Sequence, residues 1–389
     1  MKRRMFLQQG AALTSLSFAG FAPAWGQGQA GKPRLLVVLL RGGMDGLTAV
    51  PPVGDSQYNT IRPQIAIQKS LRLNADFGLH PQLEGMHSMW QAGQLAVVHS
   101  TGFQYTGRSH FEGQDIMQTG VMKPYTSTSG WIGRAMEQAK VDSGVAISIP
   151  MPLILRGHDR ATTQFPNWMP ALRDQDLAAV ANMWANDPML NPYSEVIREA
   201  NLGKSLNNMN RVSFQNARSM QGLARSAAAS MRLESGPQVG LIDMTHGFDT
   251  HASQGAEQGS HADRLRELDQ LMATFRDEMG AQWANSLVLT ITEFGRTAAE
   301  NGTNGTDHGV GSCCFLAGGL VTQAKVYADW RGLQKSALFE ERDLPATIDV
   351  TAVYAKVLER VFALSPKTLA KEGVLEHKTS PLLNGLLGV

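Results

Sequence analysis

The sequence predicts an α/β fold with a largely parallel central sheet, and three features carry that prediction. Short apolar runs at Lys32–Leu40, Gln94–His99, Gln238–Met244 and from Leu287 onward read as strands covered on both faces. Helical patterns lie between them, the β–α–β alternation of parallel sheets. Each run then gives way to glycines, acids or imidazoles. In open α/β sheets, chemistry sits in the crevice beyond the carboxyl ends of the strands.

The whole chain sets the bounds. Its 389 residues can bury one large core or two smaller ones. A net charge of +1 gives no global reason to bind nucleic acid or an anionic membrane. The content of 43% hydrophobic and 18% charged residues fits a soluble globular protein. At the N-terminus, Lys2-Arg3-Arg4-Met5-Phe6-Leu7 precedes an apolar run from Ala11 to Phe21, then small residues at Ala22-Pro23-Ala24 and Gly26. This reads as a twin-arginine export signal over residues 1–26, with a mature chain from near Gln27 in the periplasm or outside the cell. The apolar run is too short for a membrane span, and no later stretch qualifies. Export of a folded chain favours a preloaded metal. The adjacent Cys313 and Cys314, in CCFLAGG, cannot staple distant segments and read as small buried strand residues.

In chain order, Lys32–Leu40 is the first strand. It ends in Arg41-Gly42-Gly43-Met44-Asp45-Gly46-Leu47, where Asp45 is either a carboxylate aimed into the crevice or the cap of a tight turn. A helix is expected from His80 through Trp90, and Gln94–His99 is the next strand. After it, Arg108-Ser109-His110 leads into a helix carrying Glu112, Asp115 and Gln118. Ser109 there is a plain N-cap or a hydroxyl facing an anion at the positive helix end, with Arg108 beside it. A helix (GWIGRAMEQA) and a strand (VAISI) follow. Residues of about 156–235, rich in Asn, Met, Gln, Ala and Arg, read as a helical insertion within one domain spanning 27–389, with helices near Leu172–Ala185 and Asn207–Leu233. Beyond Gln238–Met244, Asp249 and His251 could share one cation. Ser260–Met279 has Leu265, Leu268, Leu271, Met272 and Phe275 at helical spacing. The strand from Leu287 stops at Glu293-Phe294-Gly295-Arg296, and a Gly/Asn/Thr-rich loop delivers Asp307-His308. Another strand runs through Gly318, and a helix over Val350–Leu364 covers the sheet.

Asp45, Ser109/His110, Asp249/His251 and Glu293/Arg296 thus sit at one predicted sheet edge, with His308 joining them. Carboxylates, imidazoles and a capped hydroxyl suit metal-assisted hydrolysis of a phosphate or sulfate ester. The segments RGGMDGL, GRSHFEGQD, GFDTHASQ, TEFGRTAAENGTNGTDHG and DLPATIDVTAVYAKVLER resemble those of the domain of unknown function 1501 family, over nearly the whole mature chain. That resemblance implies twin-arginine export and a three-layer α/β/α fold like that of alkaline phosphatases and sulfatases. It also implies a metal site at the strand ends. Carried over residue by residue, it makes Asp45 and Glu293 ligands of one cation, and Asp249, His251 and His308 ligands of another. Ser109 becomes the nucleophile, with His110 beside it, and Arg108 or Arg296 binds the anion. The superfamily has Asp then His where this chain has Glu293-Phe294, and the Asp249–His251 spacing of this chain is shorter than the superfamily's. One or two ions (zinc, manganese or calcium), or none, are therefore open. The expected function is an exported ester hydrolase acting on a small anionic substrate. The alternative is a catalytically degenerate relative that binds a ligand or a cell-envelope partner. Neither reading calls for nucleic acid or a membrane span, and the sequence leaves the identity of any protein partner unknown.

Overall fold

Strand β1, Arg34–Leu40, is the axis of the molecule, and every one of its residues is buried. Its seven residues pair in parallel on both sides, with Val37 level with Leu241 on one neighbour and Leu289 on the other. A strand flanked on both edges and covered on both faces has no solvent side, so from Leu35 to Leu40 its sequence is continuously apolar.

The structure is a computed structural model that describes residues 31–147, 149–164, 174–187, 190–191, 194, 219–245 and 247–389. The export signal expected over residues 1–26 lies outside them. Lys32–Val389 form one compact unit. The further elements used below are α1 (Glu84–Gln91), β2 (Leu95–Gly102), α2 (His110–Thr119), α3 (Trp131–Gln138), β3 (Gly144–Ile147), β4 (Ala161–Gln164) and α4 (Asp174–Trp184). After them come α5 (Met220–Met231), β5 (Val239–Met244), α6 (Ser260–Met279), β6 (Ser286–Ile291), β7 (Ser312–Ala317), β8 (Lys325–Tyr327), β9 (Ile348–Asp349) and α7 (Val350–Phe362). The nine strands make one sheet in the order β8-β2-β7-β6-β1-β5-β3-β4, with β9 pairing beside the end of β2. All pairings are parallel except those of β7, which runs antiparallel to both β2 and β6. Strands β2 and β6 therefore point the same way as β1 and β5, and their carboxyl ends share one edge.

The strand period of two splits the core into two layers. Leu35, Val37 and Leu39 face Ile116 and Met117 of α2, Trp131 and Ile132 of α3, and Val353 and Leu358 of α7. Leu36, Val38 and Leu40 face Met86 and Met89 of α1, Leu223 and Ala227 of α5, and Leu265, Leu268 and Phe275 of α6. Burying each such side chain stabilises the fold by about 1.5–3 kcal/mol. Cys313 and Cys314 of β7 are free and buried, one in each layer, as neighbours on a strand must be. The expected helix over Ser260–Met279 has those bounds in the structure. The 156–235 segment is not wholly helical. Ala161–Gln164, with its two threonines, pairs in parallel with β3 as the outermost strand. Helix α5 packs into the core beside α6, within the expected Asn207–Leu233 helix, whose residues 207–218 lie outside the described residues. Among the described residues, no helix is long and apolar enough to cross a membrane.

Two imidazoles buried in this frame make its stability depend on pH. His99 bonds to the Val50 carbonyl and the Ser100 hydroxyl, and burial pushes its pKa down to about 4. Burial likewise lowers His261, on α6, to about 3. Both rings are neutral when folded, whereas an unfolded histidine titrates near 6.5. The unfolded state therefore binds more protons below that value. The stabilisation is complete above about pH 6.5 and is lost toward pH 4, on the order of 3 kcal/mol for each ring. Urea unfolding at pH 7, 5.5 and 4, with chelator present, should show a shallower pH slope in His99→Gln than in the parent. Identical slopes would remove the histidine contribution.

Candidate metal site

Backbone geometry at the sheet edge brings the side chains together. His110 opens α2 after β2, and Glu293 follows β6 by two residues. An antiparallel bridge between Arg296 and His308 folds the Gly/Asn/Thr loop back, so that both ends of the Glu293–His308 stretch reach the edge. Asp249 lies on the loop after β5, pressed against the turn after β1. A Cβ on Gly42 would lie 2.6 Å from the Asp249 nitrogen, and Gly42 has φ +113°. Only glycine allows that approach without strain.

Four side chains converge. His308 Nε2 is 3.0 Å from Asp249 Oδ1 and 3.0 Å from His251 Nε2. His251 Nε2 is also 3.0 Å from Asp249 Oδ1, and His110 Nε2 is 3.3 Å from Asp249 Oδ2. In every ring the other nitrogen is engaged by an oxygen. His110 Nδ1 meets Glu293 Oε1 at 2.8 Å, His251 Nδ1 meets Asp307 Oδ1 at 3.0 Å, and His308 Nδ1 meets the Arg108 carbonyl at 2.9 Å. Those three oxygens are acceptors, so each Nδ1 carries a proton, and in the neutral ring each Nε2 presents a lone pair. Lone pairs and a carboxylate repel one another at this range unless a cation lies among them. A tetrahedral ion with bonds of about 2.0 Å has ligand–ligand edges of about 3.3 Å, close to the separations seen here. His110 Nε2 is moreover buried without a hydrogen-bond partner. The ligand atoms of His110, Asp249 and His308 all lie within 4.8 Å of one another, which leaves room for one ion among them, and His251 adjoins this trio through Asp249 and His308.

The supports extend outward. Glu293 is fully buried and accepts bonds from the Gly42 N–H at 2.9 Å and the Gln114 amide at 3.1 Å as well as from His110. Gln114 in turn accepts from Arg41, which forks onto Asp243 at 2.7 and 2.9 Å. Asn301 donates to Asp307 at 3.1 Å and ties its loop to the His251 carbonyl at 2.9 Å. Burial raises the Glu293 and Asp249 carboxyls, but their partners outweigh it and both end below the usual carboxylate range. For Glu293 the chief opposing partner is His110, and for Asp249 it is Arg296. Glu293 raises the His110 pKa, and burial lowers that of His308. Without an ion, a proton on His110 Nε2 would turn its contact with Asp249 into an ion pair.

The sequence matches the family model described as protein of unknown function (DUF1501) over residues 32–372. The chain belongs to the DUF1501 family. None of the curated proteins matches it in sequence. Among solved structures it is similar to Ps i-CgsB in complex with k-i-k-neocarrahexaose, at 8% identity and TM-score 0.47, covering 91% of this chain and 76% of that one. It is also similar to the PsFucS1 sulfatase from Pseudoalteromonas sp., at 12% identity and TM-score 0.40, with 85% and 68% covered. A third likeness is to the alkaline phosphatase of the Antarctic bacterium TAB5, at 9% identity and TM-score 0.34, with 77% and 95% covered. No chemistry follows from likenesses at this level.

For this family member, the structure redistributes the residues expected from sequence. Asp249, His251 and His308 come together as expected. His110, expected among the catalytic groups, joins them through its Nε2. Glu293 stands behind His110 rather than beside an ion, because its Oε1 already accepts three bonds. Asp45 is elsewhere engaged: its carboxylate is 1% exposed and takes bonds from Arg62, the Leu47 N–H, Thr48 and Gln254. It caps the Gly46–Ala49 turn and has no free lone pair to offer a metal. Arg108 is spent on Asp343 and Glu340, so only its carbonyl serves the site. Ser109 occupies the N-cap position of α2, and its hydroxyl makes no capping bond. Arg296 is 1% exposed and 2.9 Å from Asp249 Oδ1, yet none of its N–H groups is aligned on an acceptor. The Phe294 ring packs against His110 and His308 at 4.8 and 5.0 Å, closing the place where a second imidazole ligand was in question. Asp307, Gln114 and Gly42 were not singled out from sequence. Asp307, next to His308, was the one legible as an acid beside an imidazole.

Proposed function

We propose that the chain is a hydrolase of phosphate or sulfate esters that works with one divalent ion held by His110, Asp249, His251 and His308. The observation carrying this reading is the common arrangement of the three rings, each with Nδ1 tied to an oxygen and Nε2 turned toward Asp249. Three imidazoles and one carboxylate suit zinc and disfavour calcium, which takes oxygen ligands. Such an ion, when bound, polarises the ester and lowers the pKa of a coordinated hydroxyl. Ser109, adjacent to His110 and free of capping duty, would be the nucleophile: its oxygen would bond to phosphorus or sulfur as the bond to the ester's alcohol oxygen breaks, and water would then release the phosphate or sulfate. Arg296 keeps Asp249 ionised, and its unaligned N–H groups suit an anionic oxygen. The commitment of Arg108 to Asp343 favours a second reading, a ligand-binding protein without turnover.

Zinc titration of chelator-stripped protein, followed by assays with 4-nitrophenyl phosphate and 4-nitrophenyl sulfate, tests both. One zinc per chain is expected, with hydrolysis of one ester falling about 10³-fold or more in Ser109→Ala while zinc is retained. Stoichiometric zinc without hydrolysis selects the binding protein. A folded chain with no affinity for zinc or manganese ends the metal-based reading altogether.

A further inference from the structure

Two of the convergent side chains, His110 and Asp249, line a cleft of about 840 Å³. A phosphate or sulfate group alone needs a small fraction of that space, and clefts of roughly 300–1,000 Å³ take whole organic ligands. The walls are not uniform. Phe111, the residue after His110, is 82% exposed and lines the cleft. Ile149, Pro150 and Leu153 line it as well. A single exposed phenylalanine is ordinary on a protein surface. This one is placed by its helix beside a candidate ligand, in a cleft with further apolar lining.

The cleft also holds two guanidinium groups of different status. Arg41 is consumed by Asp243 and Gln114. Arg156 is exposed, and among the described residues its guanidinium makes one hydrogen bond, a 3.3 Å contact with the Met151 carbonyl. No carboxylate among the described residues pairs with it. The lining therefore offers an aromatic face, an aliphatic patch and an uncommitted cation apart from the ion-binding cluster.

We propose that this cleft selects esters whose alcohol part carries a flat or ring-shaped apolar face and a second anionic group. Phe111 is the platform for the ring, and Arg156 is the partner of the second anion. The inference rests on the hydrolase reading for its direction, since it assigns the cleft to the leaving alcohol. Aromatic and aliphatic walls hold a ring by area and stacking. Guanidinium recognises sulfate, phosphate or carboxylate through paired N–H bonds.

The product-side probe 6-hydroxynaphthalene-2-sulfonate tests the cleft without requiring turnover. Fluorescence titration of the zinc-loaded full chain should show binding that weakens about tenfold in Phe111→Ala and about tenfold in Arg156→Gln, with zinc stoichiometry unchanged. The uncharged 2-naphthol should respond to Phe111→Ala and not to Arg156→Gln. Absence of binding by the parent at millimolar probe overturns the proposal, as does equal binding by the parent and both variants. The two readings fail separately. Probe binding without ester turnover removes the hydrolase and keeps the cleft, whereas turnover without probe binding does the reverse.

Discussion

Replacing Arg62 with methionine should cost about 3–5 kcal/mol of stability at pH 7, the penalty for leaving a buried charge without its partner. Arg62 is wholly buried and reaches Asp45 Oδ2 at 2.6 Å and Oδ1 at 3.1 Å, while also bonding the Thr297 and Ala298 carbonyls at 2.9 and 2.7 Å. Burial by itself drives the Asp45 carboxyl pKa up, but the charge and hydrogen bonds of Arg62 more than reverse that and leave it far below the usual range. A depressed carboxyl contributes stability above its unfolded pKa of about 3.9 and loses it as the pH falls through the folded value. In Arg62→Met the sign inverts. The stranded carboxyl then protonates readily, so the cost of the substitution should shrink between pH 7 and pH 4. Urea unfolding at the two pH values measures this directly, and Asp45→Asn in the Arg62→Met background should recover part of the loss. Asp45→Asn alone should lower stability and leave zinc affinity within about twofold, because its carboxylate is spent on structural bonds. Loss of zinc with unchanged stability would instead make Asp45 a ligand.

That result bears on what sequence patterns can carry. The near-continuous apolar run in Lys32–Leu40 marked a central strand, because burial on both faces leaves a trace at every position from Leu35 to Leu40. The spacing of Leu265, Leu268, Met272 and Phe275 likewise marked one face of a helix. Ends of strands are also local, so Asp249, His251, Glu293 and His308 could be placed at one edge before any coordinates. The partner of each side chain is not local. Asp45 looks like a ligand until Arg62, 17 residues on, is seen to fill its carboxylate. Glu293 looks like one until Gly42, 251 residues away, donates to it. His110 was legible as functional, but its role depends on which nitrogen Glu293 engages. The outermost strand Ala161–Gln164 was missed for a related reason. Four residues with exposed threonines carry too little hydrophobic pattern to stand out from a polar, helix-rich segment.

Zinc affinity across three substitutions should fall in a graded order that a loose cluster of surface acids would not produce. Asp249→Asn should lower it most, by about 10³-fold or more, because both Asp249 oxygens face imidazole nitrogens and the only carboxylate of the set is removed. His308→Ala should approach that loss. Glu293→Gln keeps the volume and still accepts a hydrogen bond, but it removes the negative charge that raises the basicity of His110. Changes of this kind behind a metal ligand cost about 10–100-fold. Its effect should also be larger at pH 8 than at pH 6, since Glu293 raises the His110 pKa and the parent therefore loses more of its advantage to protons competing for Nε2 at low pH. Competition titration with a chromophoric chelator at pH 6 and pH 8 resolves all three variants, and circular dichroism confirms that each is folded. An equal loss in all three, or a Glu293→Gln effect as large as that of Asp249→Asn, would place Glu293 on the ion itself. That outcome would return the site to the ligand set expected from sequence, because the bonds from Gly42 and Gln114 would then have to yield when the ion binds.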